Sequence, residues 1–328
     1  MSNSTKIRKC FITLIVMTIV VLSFPSQSKA DFPDRPINLI VPFSPGGMVD
    51  LLIRVLAKPA EKQLGQPLVI QNKEGGGGSV GLGFLATVAK PDGYTLGASI
   101  PSIFTVAPQM REVPYKLEDF APILGYTTGA LGICVKPDSS WKTYEEFIDY
   151  AKKNPGVVSY GTPGTGTLNH LAMEWLGKRH GINWTHIPFK GNIPSITALL
   201  GGHLQAVHAA TEAFPYVDSG KLRLLIVTTG RRLERFPNIP DIREKEGGYY
   251  VKSVLGLVAP RGVPKPVLQK LEAAFKKATE DQSFIQVCNN MGLPAFYISG
   301  EECAKIYKEL AGEYTILLKE LGLYMKKP

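Results

Sequence analysis

The chain has 328 residues, 44% of them apolar, a length that suits one large or two modest domains. Its 37 basic and 28 acidic residues give a net charge of +9. Four of the basic residues, Lys6, Arg8, Lys9 and Lys29, fall in the first 30 residues with no acidic partner, which leaves +5 on the remainder. The Lys and Arg residues are dispersed and make no dense run, so they read as a solvated surface and not as a nucleic-acid footprint.

Residues 1–30 read as a secretory leader. Lys6, Arg8 and Lys9 form a basic start, Phe11 to Phe24 an apolar run, and Ser28-Lys29-Ala30 places small residues where a signal peptidase looks, with cleavage before Asp31. The rival reading, an uncleaved anchor, meets an apolar run short of the roughly 20 residues that a span needs. Past the leader three cysteines remain, Cys134, Cys288 and Cys303. An odd count in an exported chain argues against a disulfide framework and leaves a Cys288–Cys303 pair open.

The folded part opens on Ile37-Asn-Leu-Ile-Val-Pro-Phe-Ser-Pro-Gly-Gly-Met-Val-Asp50, an apolar run, an abrupt Pro/Gly turn and the start of an amphipathic segment. This predicts a strand feeding a helix over Val49–Leu64, with Pro59 expected to kink it or end it early. The first N–H groups of a helix lack internal partners and carry partial positive charge, so this junction is an anion site in waiting. Pro67–Gln71 predicts a second strand, followed by Asn72-Lys-Glu-Gly-Gly-Gly-Gly-Ser79 and a helix from Ser79 to Ala89 with Ser79 as its cap. Tyr94–Ile100 predicts a third strand. The order βαβαβ calls for parallel strands with right-handed crossovers.

From Phe120 to Val135 the chain is apolar and β-prone, long enough to pass from one lobe to another. Thr143-Tyr-Glu-Glu146 is a capping box for the next helix. Val157–Gly161 predicts a strand, then Thr162-Pro-Gly-Thr-Gly-Thr167 a third Gly-rich loop and a helix through His170 and Trp175. Strands follow at Trp184–Pro188, Leu204–Ala209 and Leu222–Thr228, with helices from Asn192 to Gly201 and near Ala213–Ser219. A strand at Ser253–Ala259, a helix over Lys265–Glu280 and a last helix capped by Ser299-Gly-Glu-Glu302 close the chain. The expected domains are a leader, 1–30, a discontinuous first lobe, 31–125 plus 230–328, and a second lobe, 126–229. Ligands in such folds sit beyond the carboxyl ends of the strands, where all three Gly-rich loops fall.

Gly76-x-Gly78-x-x-Gly81 matches the dinucleotide fingerprint, but the following strand ends without the acid that would hold a ribose hydroxyl. The histidines include no H-E-x-x-H and the cysteines no C-x-x-C, so neither a metal nor a cofactor is expected. No serine stands in an elbow-like setting, so no catalytic residue is expected. Hydroxyls gather in and beside the loops, at Ser44, Ser79, Ser99, Ser102, Thr162, Thr165 and Thr167, and suit a carboxylate without an arginine clamp. Asp50 would either cap the turn or touch ligand, with the cap favoured because an acid would repel an incoming carboxylate. His170 reads equally as a packed helix residue or a ligand contact.

Pro42-Phe-Ser-Pro-Gly-Gly-Met-Val-Asp50, the Gly75–Gly81 run, Lys90-Pro-Asp-Gly-Tyr-Thr-Leu96, Tyr160-Gly-Thr-Pro-Gly-Thr-Gly-Thr-Leu-Asn-His170, His186-Ile-Pro-Phe-Lys-Gly191 and Ser219-Gly-Lys-Leu-Arg223 together resemble the substrate-binding proteins of the tripartite tricarboxylate transporter family, also called Bug receptors. The resemblance implies an α/β, two-lobed, type II periplasmic binding fold. Each lobe would be a mainly parallel sheet flanked by helices, with the ligand cleft between the lobes. It also implies a periplasmic monomer that binds a di- or tricarboxylate-like compound and delivers it to a permease with one large and one small subunit. The residues it points to are Ser44, Pro45, Gly46 and Gly47 with Gly78, Ser79 and Gly81 on the fixed side. On the closing side they are Thr162, Gly164, Thr165, Gly166, Thr167 and His170, with Ala210 and Thr211 from a later strand end. His208-Ala-Ala-Thr-Glu212 offers no clear acid or amide for a ligand amino group, which favours a plain carboxylate. An exported enzyme acting on such a compound, and a receptor that presents liganded protein to a signalling system, are the alternatives.

Overall fold

A computed structural model describes residues 31–325, so the expected leader and its cleavage point lie outside the described residues. Arg35 onward forms one compact unit. Its strands in chain order are β1 (Ile37–Val41), β2 (Leu68–Asn72), β3 (Thr95–Ser99), β4 (Phe120–Thr127), β5 (Gly132–Val135), β6 (Ser159–Thr162), β7 (Thr185–Pro188), β8 (Ala206–Ala209), β9 (Arg223–Val227), β10 (Leu255–Pro260) and β11 (Ile298–Ser299). They make two sheets, ordered β11-β4-β10-β3-β1-β2 and β7-β6-β8-β5-β9. Each is flanked by helices, giving the expected α/β fold of two lobes. The chain passes between the sheets twice, through 128–131 and through 228–254.

Both sheets are mixed, and neither is mainly parallel as expected. β1 runs parallel to β2 and β3, and β6 parallel to β7 and β8, as right-handed βαβ crossovers require. β10 is antiparallel to β3 and β4, and β5 is antiparallel to β8 and β9. These antiparallel strands abut the points where the chain changes sheets, so they enter from the opposite end. β1, β5, β8 and β10 are almost wholly buried, which explains why they read as unbroken apolar runs and not as alternation.

The helix after β1 spans Met48–Leu64 and continues through Pro59 to a left-handed Gly65, whose N–H returns to the Glu61 carbonyl. The early stop expected at Pro59 does not occur. The lost N–H is one bond, whereas Leu52, Ile53, Leu56, Pro59, Ala60 and Leu64 are all buried, and the helix packs on those of Lys265–Thr279 and Gln282–Asn290. Tertiary burial outweighs the local penalty. The helix Ser79–Thr87 is preceded by Gly78 at the cap position with no side-chain cap, so Ser79 is not the cap expected of it. Thr143 and Ser299 do cap their helices, each accepting the N–H three residues on.

Candidate functional site

The turn after β1 is held from beneath. Asp50, 2% exposed, accepts the Gly46 N–H at 2.9 Å, Arg54 Nε at 2.8 Å and Nη2 at 2.9 Å, and Asn72 Nδ2 at 2.9 Å. Burial alone would raise its carboxyl, but the Arg54 guanidinium, the Gly46 N–H and the Asn72 amide outweigh it and hold the carboxyl below the usual value. Asn72 also donates to the Phe43 carbonyl at 3.0 Å, tying the second strand to the turn. Asp50 therefore orders the Ser44–Gly47 turn, and it does not line the cavity that the turn borders.

That cavity is small, about 50 Å³. Half of its lining residues come from helix starts: Gly47, Met48 and Val49 from Met48–Leu64, Ile100 and Ser102 from Pro101–Thr105, Thr167, Leu168 and Asn169 from Leu168–His180, and Asn192 from Asn192–Leu200. Helix starts carry partial positive charge, so their gathering at one small space favours negative charge there. Thr167 caps its helix, accepting the His170 N–H at 3.4 Å and donating to the Gly164 carbonyl at 2.7 Å. Asn169 Nδ2 donates to the His208 carbonyl at 2.9 Å, fastening that helix start to β8. The Ser44 hydroxyl is buried without a partner.

A carboxylate of the chain already sits against one of these helix starts. Glu212, in the short 3-10 turn Thr211–Ala213 that follows β8, accepts the Met48 N–H at 2.7 Å. Asn192 Nδ2 lies 3.2 Å from both of its oxygens. Burial pushes the Glu212 carboxyl up, opposed by the Met48 N–H, its own backbone and the Asn192 amide. The expectation that the 208–212 segment supplies no acid to the pocket is corrected: Glu212 is that acid, and Asn192 is the amide beside it. The sequence signal was faint, an acid three residues past a strand end, because whether a residue in a 3-10 turn faces a cavity depends on the turn and not on strand alternation.

Of the residues expected at the site, Ser44, Gly47, Ser102, Thr167 and Ala210 line the cavity, joined by Met48, Pro163, Asn169, Asn192 and Glu212. Pro45 and Gly46 are exposed at the turn. Ser99 lies 3.4 Å from the Tyr307 hydroxyl inside the first lobe. Gly78, Ser79 and Gly81 belong to the second loop, and Thr162, Gly164, Thr165 and Gly166 to the third, and these two loops meet each other across the lobes. A Cβ on Gly77 would come within 2.8 Å of the Thr165 carbonyl oxygen, and one on Gly164 within 2.8 Å of Gly77 Cα. Only two residues without side chains can approach so closely. Arg111 fastens the same contact, donating to the Thr165 carbonyl at 3.0 Å from one side and to the Gly76 carbonyl and the Ser79 hydroxyl from the other. No local pattern marked Arg111, since its role arises from contacts 32 to 54 residues away.

Thr162 Oγ1 lies 2.7 Å from His186 Nε2, and the His186 ring packs on His170 with centroids 4.2 Å apart. Burial, aided by the Arg111 charge, draws His170 down to about 4, and burial with the neighbouring His170 draws His186 to about 4. Both rings are neutral packing groups behind the third loop. Thr211 is buried beside Glu212. Among the described residues no group of three His, Cys, Asp or Glu is placed to hold a metal, and no helix is long and apolar enough to cross a membrane.

Comparison with known proteins places this geometry. A protein of Cupriavidus necator described as "UPF0065 protein in gbd 5'region" is 38% identical over 303 residues, covering 92% of each chain. The solved structure of the periplasmic binding protein BugD superposes with a TM-score of 0.85 at 29% identity, over 90% of this chain and 100% of that one. A Rhodopseudomonas palustris protein with bound malate superposes with a TM-score of 0.83 at 25% identity, over 88% of this chain and all of the other. Residues 52–323 match the profile of the tripartite tricarboxylate transporter family receptor, and the chain belongs to that family.

Proposed function

We propose that the protein is an extracytoplasmic solute-binding protein that captures a small carboxylated organic compound between its lobes and delivers it to a membrane permease of one large and one small subunit. Membership of a receptor family makes it a binding protein and not an enzyme. The observation that carries the carboxylate reading is the gathering of helix starts at a cavity whose Met48 N–H already takes a carboxylate, that of Glu212. The malate bound by one relative, and the adipate bound by another with a TM-score of 0.83, support the same class of ligand. In this reading the lobes, 31–125 with 230–328 and 126–229, close like a jaw. The Ser44–Met48 turn is its fixed side, and the Gly77–Gly164 contact is the point where the rims meet. The leader at 1–30 would send the chain to the periplasm as a monomer.

Native mass spectrometry of the mature protein, purified without denaturation, tests this directly. The expected result is one bound carboxylate per chain, released chemically unaltered on unfolding. Calorimetry of the ligand-free protein should then return 1:1 binding of the same compound. Failure of every small carboxylate to bind, or recovery of a converted compound, would overturn the proposal.

A further inference from the structure

Glu212 is the only ionisable side chain that lines the cavity among the described residues. Its position poses a charge problem for any carboxylate ligand. The Met48 N–H can serve the ligand only if Glu212 gives it up, and two carboxylates would then share one water-poor space with no Lys, Arg or His on the wall. The surroundings of Glu212 do not supply the missing positive charge. Its remaining partners are its own backbone N–H and Asn192 Nδ2, and the other end of that amide, Oδ1, is buried with no donor. This corner of the cavity therefore holds an excess of acceptors: two carboxylate oxygens and an unpartnered amide oxygen. Adjoining it is a corner of donors, namely the Met48 N–H, which Glu212 now takes, and the unpartnered Ser44 hydroxyl. A group with three N–H donors and a positive charge satisfies the first corner, and a carboxylate satisfies the second.

We infer that Glu212 and Asn192 form an acceptor subsite for a protonated amine, so that this protein selects carboxylates that carry an amino group over those that do not. The inference rests on the carboxylate reading of the cavity and narrows it. In the unliganded cavity Glu212 stands in for the ligand's carboxylate at Met48. When an amino carboxylate enters, its carboxylate takes the Met48 N–H, and Glu212, released, pairs with the ammonium beside Asn192 Oδ1.

Calorimetry of the ligand-free mature protein at pH 7 with matched probes, succinate against aspartate and glutarate against glutamate, tests the idea. The amino member of at least one pair should bind tenfold or more tightly than its plain partner. Glu212→Gln should bring the two members of that pair within about threefold of each other, because the amide keeps the shape and loses the charge. Asn192→Ser, a second variant that spares the carboxylate, should reduce the same preference, and circular dichroism would confirm that both fold. Plain carboxylates binding as well as or better than their amino partners would overturn the inference. So would plain-carboxylate affinity that climbs as pH falls, since Glu212 would then be taking up a proton in place of meeting an ammonium. Either result leaves the carboxylate reading standing. Binding of neither series would overturn this inference, whereas the carboxylate reading falls only if every small carboxylate fails to bind.

Discussion

Replacing Asp50 by alanine should loosen the turn that presents the Met48 N–H. The carboxylate accepts four hydrogen bonds, from Gly46, twice from Arg54 and from Asn72, at 2.8 to 2.9 Å. Bonds to a charged group are worth about 1.5–3 kcal/mol each when taken singly. They do not add here. Arg54 is 46% exposed and recovers water, Gly46 lies at the surface, and Asn72 keeps its bond to the Phe43 carbonyl. The discounted loss for Asp50→Ala is about 2–3 kcal/mol of folding free energy at pH 7. Because the folded-state carboxyl is held below its usual value, this contribution is complete above the unfolded-state pKa of about 4 and fades as pH falls through the lower folded-state value. Urea unfolding of both proteins at pH 7, and again at successively lower pH, would measure it. A loss under about 0.5 kcal/mol at pH 7, the range of an ordinary surface change, would refute the role given to Asp50.

Gly77→Ala places a methyl 2.8 Å from the Thr165 carbonyl oxygen at a backbone φ of 60°, so it opposes the meeting of the lobes. The expected outcome is roughly 1–2 kcal/mol of lost stability from the left-handed backbone. Ligand affinity should fall about tenfold or more in addition, a step worth roughly 1.4 kcal/mol. Unchanged affinity by calorimetry would mean that these loops do not touch in the liganded form. Cys134, Cys288 and Cys303 are free and buried, with burial pushing each thiol up to about 12. A thiol reagent should count three thiols in denaturant and react negligibly with the native mature protein; fewer than three in denaturant would reveal a disulfide. His170 and His186, drawn down to about 4, should stay neutral in NMR titrations between pH 5 and 8. The unfolded chain takes up those protons near pH 6.5, so these residues lower stability as pH falls from about 6.5 toward 4. Imidazole shifts centred near pH 6.5 would contradict that burial.

The βαβ order, the capping residues Thr143 and Ser299, and the loop before Met48 were legible because each is a local signal. An apolar run, a hydroxyl or carboxylate three residues from its N–H, and a Pro/Gly turn all act within a few residues of themselves. The Gly-rich loops show where locality stops helping. A glycine needed for a ligand-facing turn and a glycine needed where two backbones touch look alike in sequence. In the fold the first loop borders the cavity, whereas Gly77 and Gly164 meet each other across the lobes. Pro59 shows the same limit in reverse, since a breaker was overruled by the buried face on which it sits.

By itself, then, the sequence determined the alternation of strands and helices, the places where helix starts offer free N–H groups, and through the ordered set of motifs the family. Those features depend on hydrogen-bond geometry and hydrophobic spacing over a few residues. Only the tertiary structure decided which of those helix starts face one cavity, that Arg111 links two loops, and that Glu212 reaches the Met48 N–H 164 residues away in the chain. Such contacts depend on how two lobes are brought together, and no local pattern encodes the distance between residues that meet only after the chain has crossed between the sheets twice.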